Sequence, residues 1–265
     1  TYGPGKDFAC VELAKWGVQC EFFDAQNPAD LAARITPKTR LVWLEAPGSV
    51  TLEFPDLPAL TQVVAKANEG RAALGTGRSI ITALDNTWGA GVAFNPFDLG
   101  VDVSMQALTK YPSGGGDVLM GSVVTRSAEL HHDMLMTHMR LGLAVGANDV
   151  ELVLRGLPSM ALRYAHQDAS TRALVHWASA RDEFDMVFHP ALPNSPGHAA
   201  WMRDCSGAAC LFSVVFKSQF TTAPVDSFCD ALQLFQLCYS WAVPLTLVLT
   251  YGQSACKPLA WPHAC

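Results

Sequence analysis

This sequence lacks several features that would mark whole classes of protein. It has no run of Lys or Arg among its 18 basic and 24 acidic residues, so we do not expect it to bind nucleic acid. No apolar stretch approaches the ~20 residues that a membrane span needs, and the first residues do not have the layout of a signal peptide. We therefore expect a cytoplasmic protein that binds neither nucleic acid nor a membrane.

Cysteine pairs of the C-x-x-C kind, typical of zinc and redox sites, are also absent. In a chain of this size the eight cysteines are expected to be buried free thiols rather than disulfides. They stand at positions 10, 20, 205, 210, 229, 238, 256 and 265.

Two other motifs fall short of a site. The glycine-rich residues 70–79 lack the G-K-[ST] ending of a P-loop. His131, His132, Asp133 and His138 are predicted to share a helix, but adjacent histidines on a helix point to different faces. We expect a solvated helix face there and no metal site.

Helical and strand-like patterns alternate along the first half of the chain, which indicates an α/β fold with a mostly parallel sheet flanked by helices. Gly17 is expected to end the first helix, and Asn27 is expected to cap the second. We predict helices at 7–16, 28–35 and 57–68, and strands at 18–23, 40–45, 79–84 and 101–107.

The rhythm changes after residue 156, which predicts two domains. We expect a larger domain at 1–156 and a smaller C-terminal α+β domain at 157–265, with a long helix at 159–180 and a strand at 211–216. Because a helix-like pattern begins within the first ten residues, without a preceding strand, a missing N-terminal portion is also expected.

Polar residues follow the predicted strands at the sheet edge where ligands bind in open α/β sheets: Gly48-Ser49, Asp85 and Lys110. Lys110 precedes Gly114-Gly115-Gly116, a turn that could bring backbone close to a bound group. Such a lysine could form a Schiff base or be an ordinary surface lysine. Asp85 could equally form a cap or turn, or meet a cation.

Two segments of the chain carry a family resemblance. Leu84-Asp85-Asn86-Thr87-Trp88 and Gln106-Ala107-Leu108-Thr109-Lys110-Tyr111 resemble the Cys/Met-metabolism family of pyridoxal-phosphate enzymes in residues, order and spacing. Residues 44–49 and 189–193 resemble further signatures of that family.

The resemblance implies pyridoxal 5'-phosphate as cofactor, with Lys110 as the catalytic, Schiff-base lysine and Asp85 as the partner of the ring nitrogen. By the same resemblance Tyr2 stacks on the ring and Thr109 binds the phosphate. Ala107 stands where the family often has a phosphate-binding serine. Tyr239, Ser240 and Trp241 resemble the substrate-bordering segment of the β-acting members, and no metal is implied.

The resemblance further implies a homotetramer that cleaves the C–S bond of an amino-acid thioether, cystathionine or cystine, by β-elimination, as in methionine biosynthesis. γ-Acting chemistry and an inactive homologue that serves as an interaction partner are the alternatives. The family's N-terminal Tyr-x-Arg and Ser-Gly-Met contacts and its C-terminal carboxylate-binding arginine have no counterpart here. We therefore expect the 265 residues alone to be a poor catalyst.

Overall fold

The computed structural model describes residues 1–75 and 78–251. Its central sheet has four strands in the order β1-β2-β3-β4, of which the first three are parallel and the last is antiparallel to β3. The prediction of a mostly parallel sheet is thereby confirmed. These strands are β1 Leu41–Glu45, β2 Ile81–Asp85, β3 Val103–Ala107 and β4 Gly121–Thr125.

Helices flank this sheet and continue into the second half of the chain, where the predicted long helix is present. The α-helices are α1 Gly3–Asp7, α2 Pro28–Arg34, α3 Leu57–Ala73, α4 Ala128–Leu141, α5 Ala147–Gly156, α6 Met160–Ser179, α7 His198–Asp204 and α8 Thr222–Asp230. Short 3₁₀ turns lie at Pro96–Leu99 and Leu157–Ser159.

Side-chain caps explain where two of the sheet-covering helices begin. Asn27 accepts a hydrogen bond from the Ala29 N–H (3.1 Å), so the predicted cap of α2 is confirmed. Asp56 caps α3 in the same way through the Ala59 N–H (3.1 Å). Such caps satisfy backbone donors that the first helical turn leaves unpaired and contribute about 1 kcal/mol each.

The N-terminal segment departs from its prediction. Helical structure runs from Gly3 through a π-helical turn, Phe8–Glu12, and a 3₁₀ turn, Leu13–Trp16, and ends at Gly17, whose φ is +81°. The strand predicted at 18–23 does not form. Among the described residues no neighbouring strand offers this segment an edge for backbone hydrogen bonds, so its β-like composition is left without a partner.

The core joins the sheet to the second half of the chain. Leu84 of β2 and Tyr111, both without exposed surface, belong to one buried cluster with Tyr164 of α6 and Trp201 of α7. Burial of each such side chain contributes roughly 1.5–3 kcal/mol. The C-terminal helices therefore pack directly on the sheet that carries the predicted site.

The second half also contains two small sheets. Strand β5 (Phe184–Phe188) pairs antiparallel with β6 (Ser213–Phe216), and β7 (Phe235–Leu237) pairs parallel with β8 (Thr246–Val248). The strand predicted at 211–216 is thus present in its second part. The predicted domain boundary after residue 156 lies between α5 and the 3₁₀ turn, and it remains a prediction.

Cysteine burial differs from expectation. All six cysteines of the described ranges are free, but Cys10, Cys20 and Cys238 are exposed, so the expected burial of those three is wrong. Cys10 and Cys20 lie where the chain does not pack on the core, which leaves them at the surface. Cys256 and Cys265 lie outside the described residues.

The helix that carries the histidines is solvated, as expected. Helix α4, which carries His131, His132 and His138, has no buried residue. Within residues 1–75 and 78–251 no group of three or more His, Cys, Asp or Glu side chains is placed to hold a metal ion. None of the helices in these ranges has the length and apolar composition needed to cross a membrane.

The buried His189 is expected to make the folded protein less stable in acid. Its side chain is fully buried and its Nδ1 accepts the Ala191 N–H, while burial lowers its pKa from 6.5 to about 4. The unfolded chain binds the extra proton first, so this stability is present above pH 6.5 and is lost as the pH falls towards 4. We expect a decrease of roughly 3 kcal/mol in the free energy of unfolding across that window.

Urea unfolding at pH 7.5 and pH 4.5 tests this expectation. His189→Asn should flatten the pH dependence, whereas substitution of the exposed His138 by Asn should leave it as in the unsubstituted chain. An equal pH dependence in all three proteins would contradict the role of His189.

Candidate active site

The carboxyl ends of the parallel strands bring the predicted polar residues to one edge of the sheet. Glu45 and Asp85, the last residues of β1 and β2, are direct partners in the strand register, and Asp85 is paired with Met105 of β3. Lys110 follows the end of β3 by three residues. We call this place the carboxyl edge.

Lys110 meets the C-terminal part of the chain. Its Nζ donates a hydrogen bond to the Ser240 Oγ (2.9 Å) and lies 5.3 Å from the ring centroid of Trp241. Burial lowers the pKa of Lys110, while the nearby thiols of Cys210 and Cys238 act in the opposite direction. A lowered pKa increases the fraction of neutral amine, the form that acts as a nucleophile or base.

Asp85 forms a turn at the end of β2. Its Oδ1 accepts hydrogen bonds from the Thr87 N–H (3.0 Å) and the Thr87 hydroxyl (2.5 Å), as the turn interpretation predicts. Burial raises the pKa of Asp85, the Thr87 hydrogen bonds oppose this, and Glu45 adds to it. Within the described ranges no hydrogen bond reaches Oδ2, so this oxygen can still receive a donor.

Thr87 is a residue that the sequence reasoning missed. Its hydroxyl donates to Asp85 and accepts the N–H of Ala107 (2.9 Å), so it joins the ends of β2 and β3. The signal was present in the sequence, since a threonine two residues after a strand-ending aspartate is typical of an Asx turn.

Tyr2 lies beside the carboxyl edge. Its N–H donates to Glu45 Oε2 (2.8 Å), and its side chain is half-exposed. Burial raises the pKa of Tyr2, and the charges of Tyr239 and Asp85 raise it further. The structure thus brings Tyr2 to the carboxyl edge through Glu45, the register partner of Asp85.

Thr109 and Trp241 are the other two predicted site residues near Lys110: Thr109 precedes it in the chain, and the Trp241 ring lies 5.3 Å from its Nζ. The Thr109 Oγ1 accepts a hydrogen bond from the Met120 N–H (3.4 Å), which leaves its hydroxyl proton free to donate to another group. Trp241 packs its ring at 5.8 Å from that of the buried Tyr111. Both residues are half-buried.

The glycine turn after Lys110 packs closely against neighbouring side chains. A Cβ atom on Gly114 would collide with the Arg163 guanidinium, and one on Gly116 would come within 2.9 Å of Val243. Arg163 donates to the Tyr111 carbonyl (2.7 Å) and so holds the turn against α6. In this structure the glycines make room for protein side chains, and their approach to a bound group stays a prediction.

The turn after β1 is closed by hydrogen bonds of its own. The Ser49 hydroxyl donates to Glu45 Oε1, and the Gly48 N–H donates to the Glu53 carbonyl (2.9 Å). A Cβ on Gly48 would lie 2.6 Å from Glu53 Oε1, so a larger residue at this position would require the Glu53 side chain to move. Burial raises the pKa of Glu53.

Comparison with known proteins gives one consistent result. The family model described as Cys/Met metabolism PLP-dependent enzyme matches residues 1–253. The cystathionine β-lyase of Bordetella avium is 38% identical over 257 residues, covering 96% of this chain and 61% of that protein. Cystathionine β-lyase MetC of Escherichia coli is 34% identical over 253 residues, covering 94% and 60%.

The γ-acting proteins are more distant, and the solved structures show the same fold. Bovine cystathionine γ-lyase is 30% identical, covering 91% of this chain and 56% of that protein. The structure of MetB from Corynebacterium glutamicum gives a TM-score of 0.86 at 25% identity, covering 94% of this chain and 61% of that one. This chain spans about 60% of the length of the curated β-lyases from B. avium and E. coli.

Proposed function

The chain belongs to the Cys/Met metabolism family of PLP-dependent enzymes, and we propose that it is a carbon–sulfur β-lyase that cleaves L-cystathionine. The products would be homocysteine, pyruvate and ammonia. Because the chain spans about 60% of those curated β-lyases, this activity is a proposal for the protein and does not follow from family membership alone.

One observation carries the proposal. The Lys110 amine, whose pKa burial lowers, is held by Ser240 from 130 positions away, at the same carboxyl edge as Asp85. An amine with a lowered pKa at the same sheet edge as a buried carboxylate is the pair that pyridoxal phosphate requires, one group to bind its carbonyl carbon and one to face its ring nitrogen.

The residues present fit this cofactor. The Asp85 Oδ2 has no hydrogen-bond partner among the described residues, and a protonated ring nitrogen would satisfy it and offset the cost of burying the carboxylate. When bound, pyridoxal phosphate supplies a carbonyl that links to amines and a ring that withdraws electrons from the substrate Cα atom.

Each residue at the carboxyl edge then has a role that its contacts support. We assign covalent attachment of the cofactor to Lys110, and also removal of the Cα proton once the substrate amine has taken its place. Ser240 holds the Lys110 amine at 2.9 Å. Asp85 keeps a proton on the ring nitrogen. After removal of the Cα proton, the Cβ–S bond would break with homocysteine leaving as a thiolate that takes up a proton, and water would convert the remaining three-carbon product to pyruvate and ammonia.

The surrounding groups would bind rather than react. Tyr2 would stack on the ring, and the Thr109 hydroxyl, which retains a free proton, would donate to the phosphate. Tyr239 is more than half exposed and Trp241 lies next to Lys110, so both are placed to border the substrate. The Ala107 N–H is already bonded to Thr87, so it adds no phosphate contact.

The β-lyase reading is favoured over the γ-acting one by the relatives and by the turn after β1. Curated β-lyases match at 33–38% identity and the bovine γ-lyase at 30%. Gly48-Ser49, with its hydroxyl bonded to Glu45, also resembles the β-acting members. An inactive homologue is the remaining alternative.

Product analysis distinguishes the three readings. The protein loaded with pyridoxal phosphate and given L-cystathionine should release pyruvate and homocysteine in equal amounts. Release of 2-oxobutanoate in place of pyruvate would show γ-lyase chemistry. A visible cofactor band with neither product would indicate the inactive homologue, and the Lys110→Ala protein provides the blank.

Two further features belong to the same proposal. We also propose a cytoplasmic role in methionine biosynthesis and a homotetrameric assembly, both of which the family resemblance implies. Sedimentation equilibrium of the loaded protein would test the assembly.

A further inference from the structure

Glu45 is a carboxylate with no Lys, Arg or His partner among the described residues, and its ion pair is with the Thr1 amino group, 3.6 Å from Oε2. It pairs in register with Asp85, so two acidic side chains end adjacent strands about 4.8 Å apart. Its side chain is only 13% exposed. A second acid so close to Asp85 is unfavourable because of charge repulsion. This cost is offset if the two oxygens of Glu45 bind other groups.

One of those oxygens holds the N-terminal segment. Glu45 Oε2 accepts the Tyr2 backbone N–H at 2.8 Å. Residues 1–17 contain no buried side chain, so packing does little to fix them. Among the described residues, this is the one hydrogen bond between residues 1–23 and an element that is distant in the sequence.

The other oxygen holds the turn after β1. Glu45 Oε1 accepts the hydroxyl of Ser49. Because the Ser49 hydroxyl donates its proton to Glu45, the lone pairs of the Ser49 oxygen must point elsewhere. Glu45 therefore determines the direction in which the Ser49 oxygen can accept a hydrogen bond.

We propose that Glu45 is a positioning residue that holds the Tyr2 ring and the Ser49 hydroxyl in one arrangement at the carboxyl edge. The inference rests on the proposed function, since it is the pyridoxal-phosphate ring that Tyr2 would cover. Glu45 touches neither cofactor nor substrate and acts through the two residues that it binds. Its loss frees the segment that carries Tyr2 and lets the Ser49 hydroxyl rotate.

The first test needs no cofactor. In the apo protein, Glu45→Ala should speed tryptic cleavage after the exposed Lys6 and Lys15 several-fold, read by mass spectrometry, because the segment loses its attachment. Glu69→Gln, an exposed acid on α3, is the matched control and should leave the cleavage rate unchanged. A cleavage rate of Glu45→Ala equal to that of the control would overturn the proposal.

The second test measures cofactor binding. Glu45→Ala should raise the dissociation constant for pyridoxal phosphate roughly tenfold or more and weaken the circular dichroism of the bound cofactor, which depends on the stacked ring. Glu45→Gln, which keeps one acceptor oxygen, should give a smaller change. In a Tyr2→Ala/Ser49→Ala background the same Glu45→Ala substitution should have no further effect.

The outcomes separate the two proposals. If the unsubstituted protein binds the cofactor and Glu45→Ala binds it equally well, the positioning role is wrong and the lyase proposal stands. An undiminished effect of Glu45→Ala in the double-variant background would also overturn the role, since Glu45 would then act through other groups. Failure of the unsubstituted protein to bind pyridoxal phosphate would overturn both.

Discussion

Lys110→Ala is expected to abolish covalent attachment of pyridoxal phosphate and to reduce cystathionine cleavage by at least about a thousandfold. The variant removes both the attachment point and the base at the substrate Cα atom. In the unsubstituted protein the Lys110 Nζ is hydrogen-bonded to Ser240, and burial lowers the pKa of this amine. These two features distinguish Lys110 as the reactive amine.

The measurement is the mass of the protein after borohydride reduction in the presence of the cofactor, together with the rate of pyruvate release. Lys66→Ala, which removes an exposed lysine on α3, is the matched control and should retain both. A cofactor adduct that persists in Lys110→Ala would show that another lysine carries the cofactor.

Asp85→Asn is expected to bind pyridoxal phosphate but to lose at least about a hundredfold in kcat, because a neutral amide cannot keep the ring nitrogen protonated. Asparagine preserves the turn, since its oxygen can accept the same hydrogen bonds from Thr87. The substitution therefore separates the electrostatic role of Asp85 from its structural one. Asp85→Ala, which loses both, should reduce turnover as well and also destabilise the protein.

Thermal melting of the apo proteins supplies the control for Asp85. Burial raises the pKa of this carboxyl, so the buried charge reduces the stability of the folded apo protein. Asp85→Asn should then melt no lower than the unsubstituted apo protein. Near-normal pyruvate release by Asp85→Asn would mean that Asp85 is only a turn residue.

Much of the candidate site could be predicted because it depends on local signals. Asp85 ends one short apolar strand and Lys110 follows another. Parallel strands present their carboxyl ends at one edge of a sheet, so the fold class alone places both residues at that edge. The strand predicted at 18–23 failed for the opposite reason. A strand needs a neighbouring edge, and residue composition does not show whether one is available.

The sequence by itself determined the local features of this protein: the Asn27 cap, the end of the first helix at Gly17, the alternation of helices with strands β1, β2 and β3, and the family motifs around Asp85 and Lys110. Only the tertiary structure decided which distant groups meet. It placed Ser240 on the Lys110 amine and Glu45 on the backbone N–H of Tyr2. Caps and turns depend on a few adjacent residues, whereas these contacts depend on how segments far apart in the sequence pack at the sheet, which local propensity does not encode.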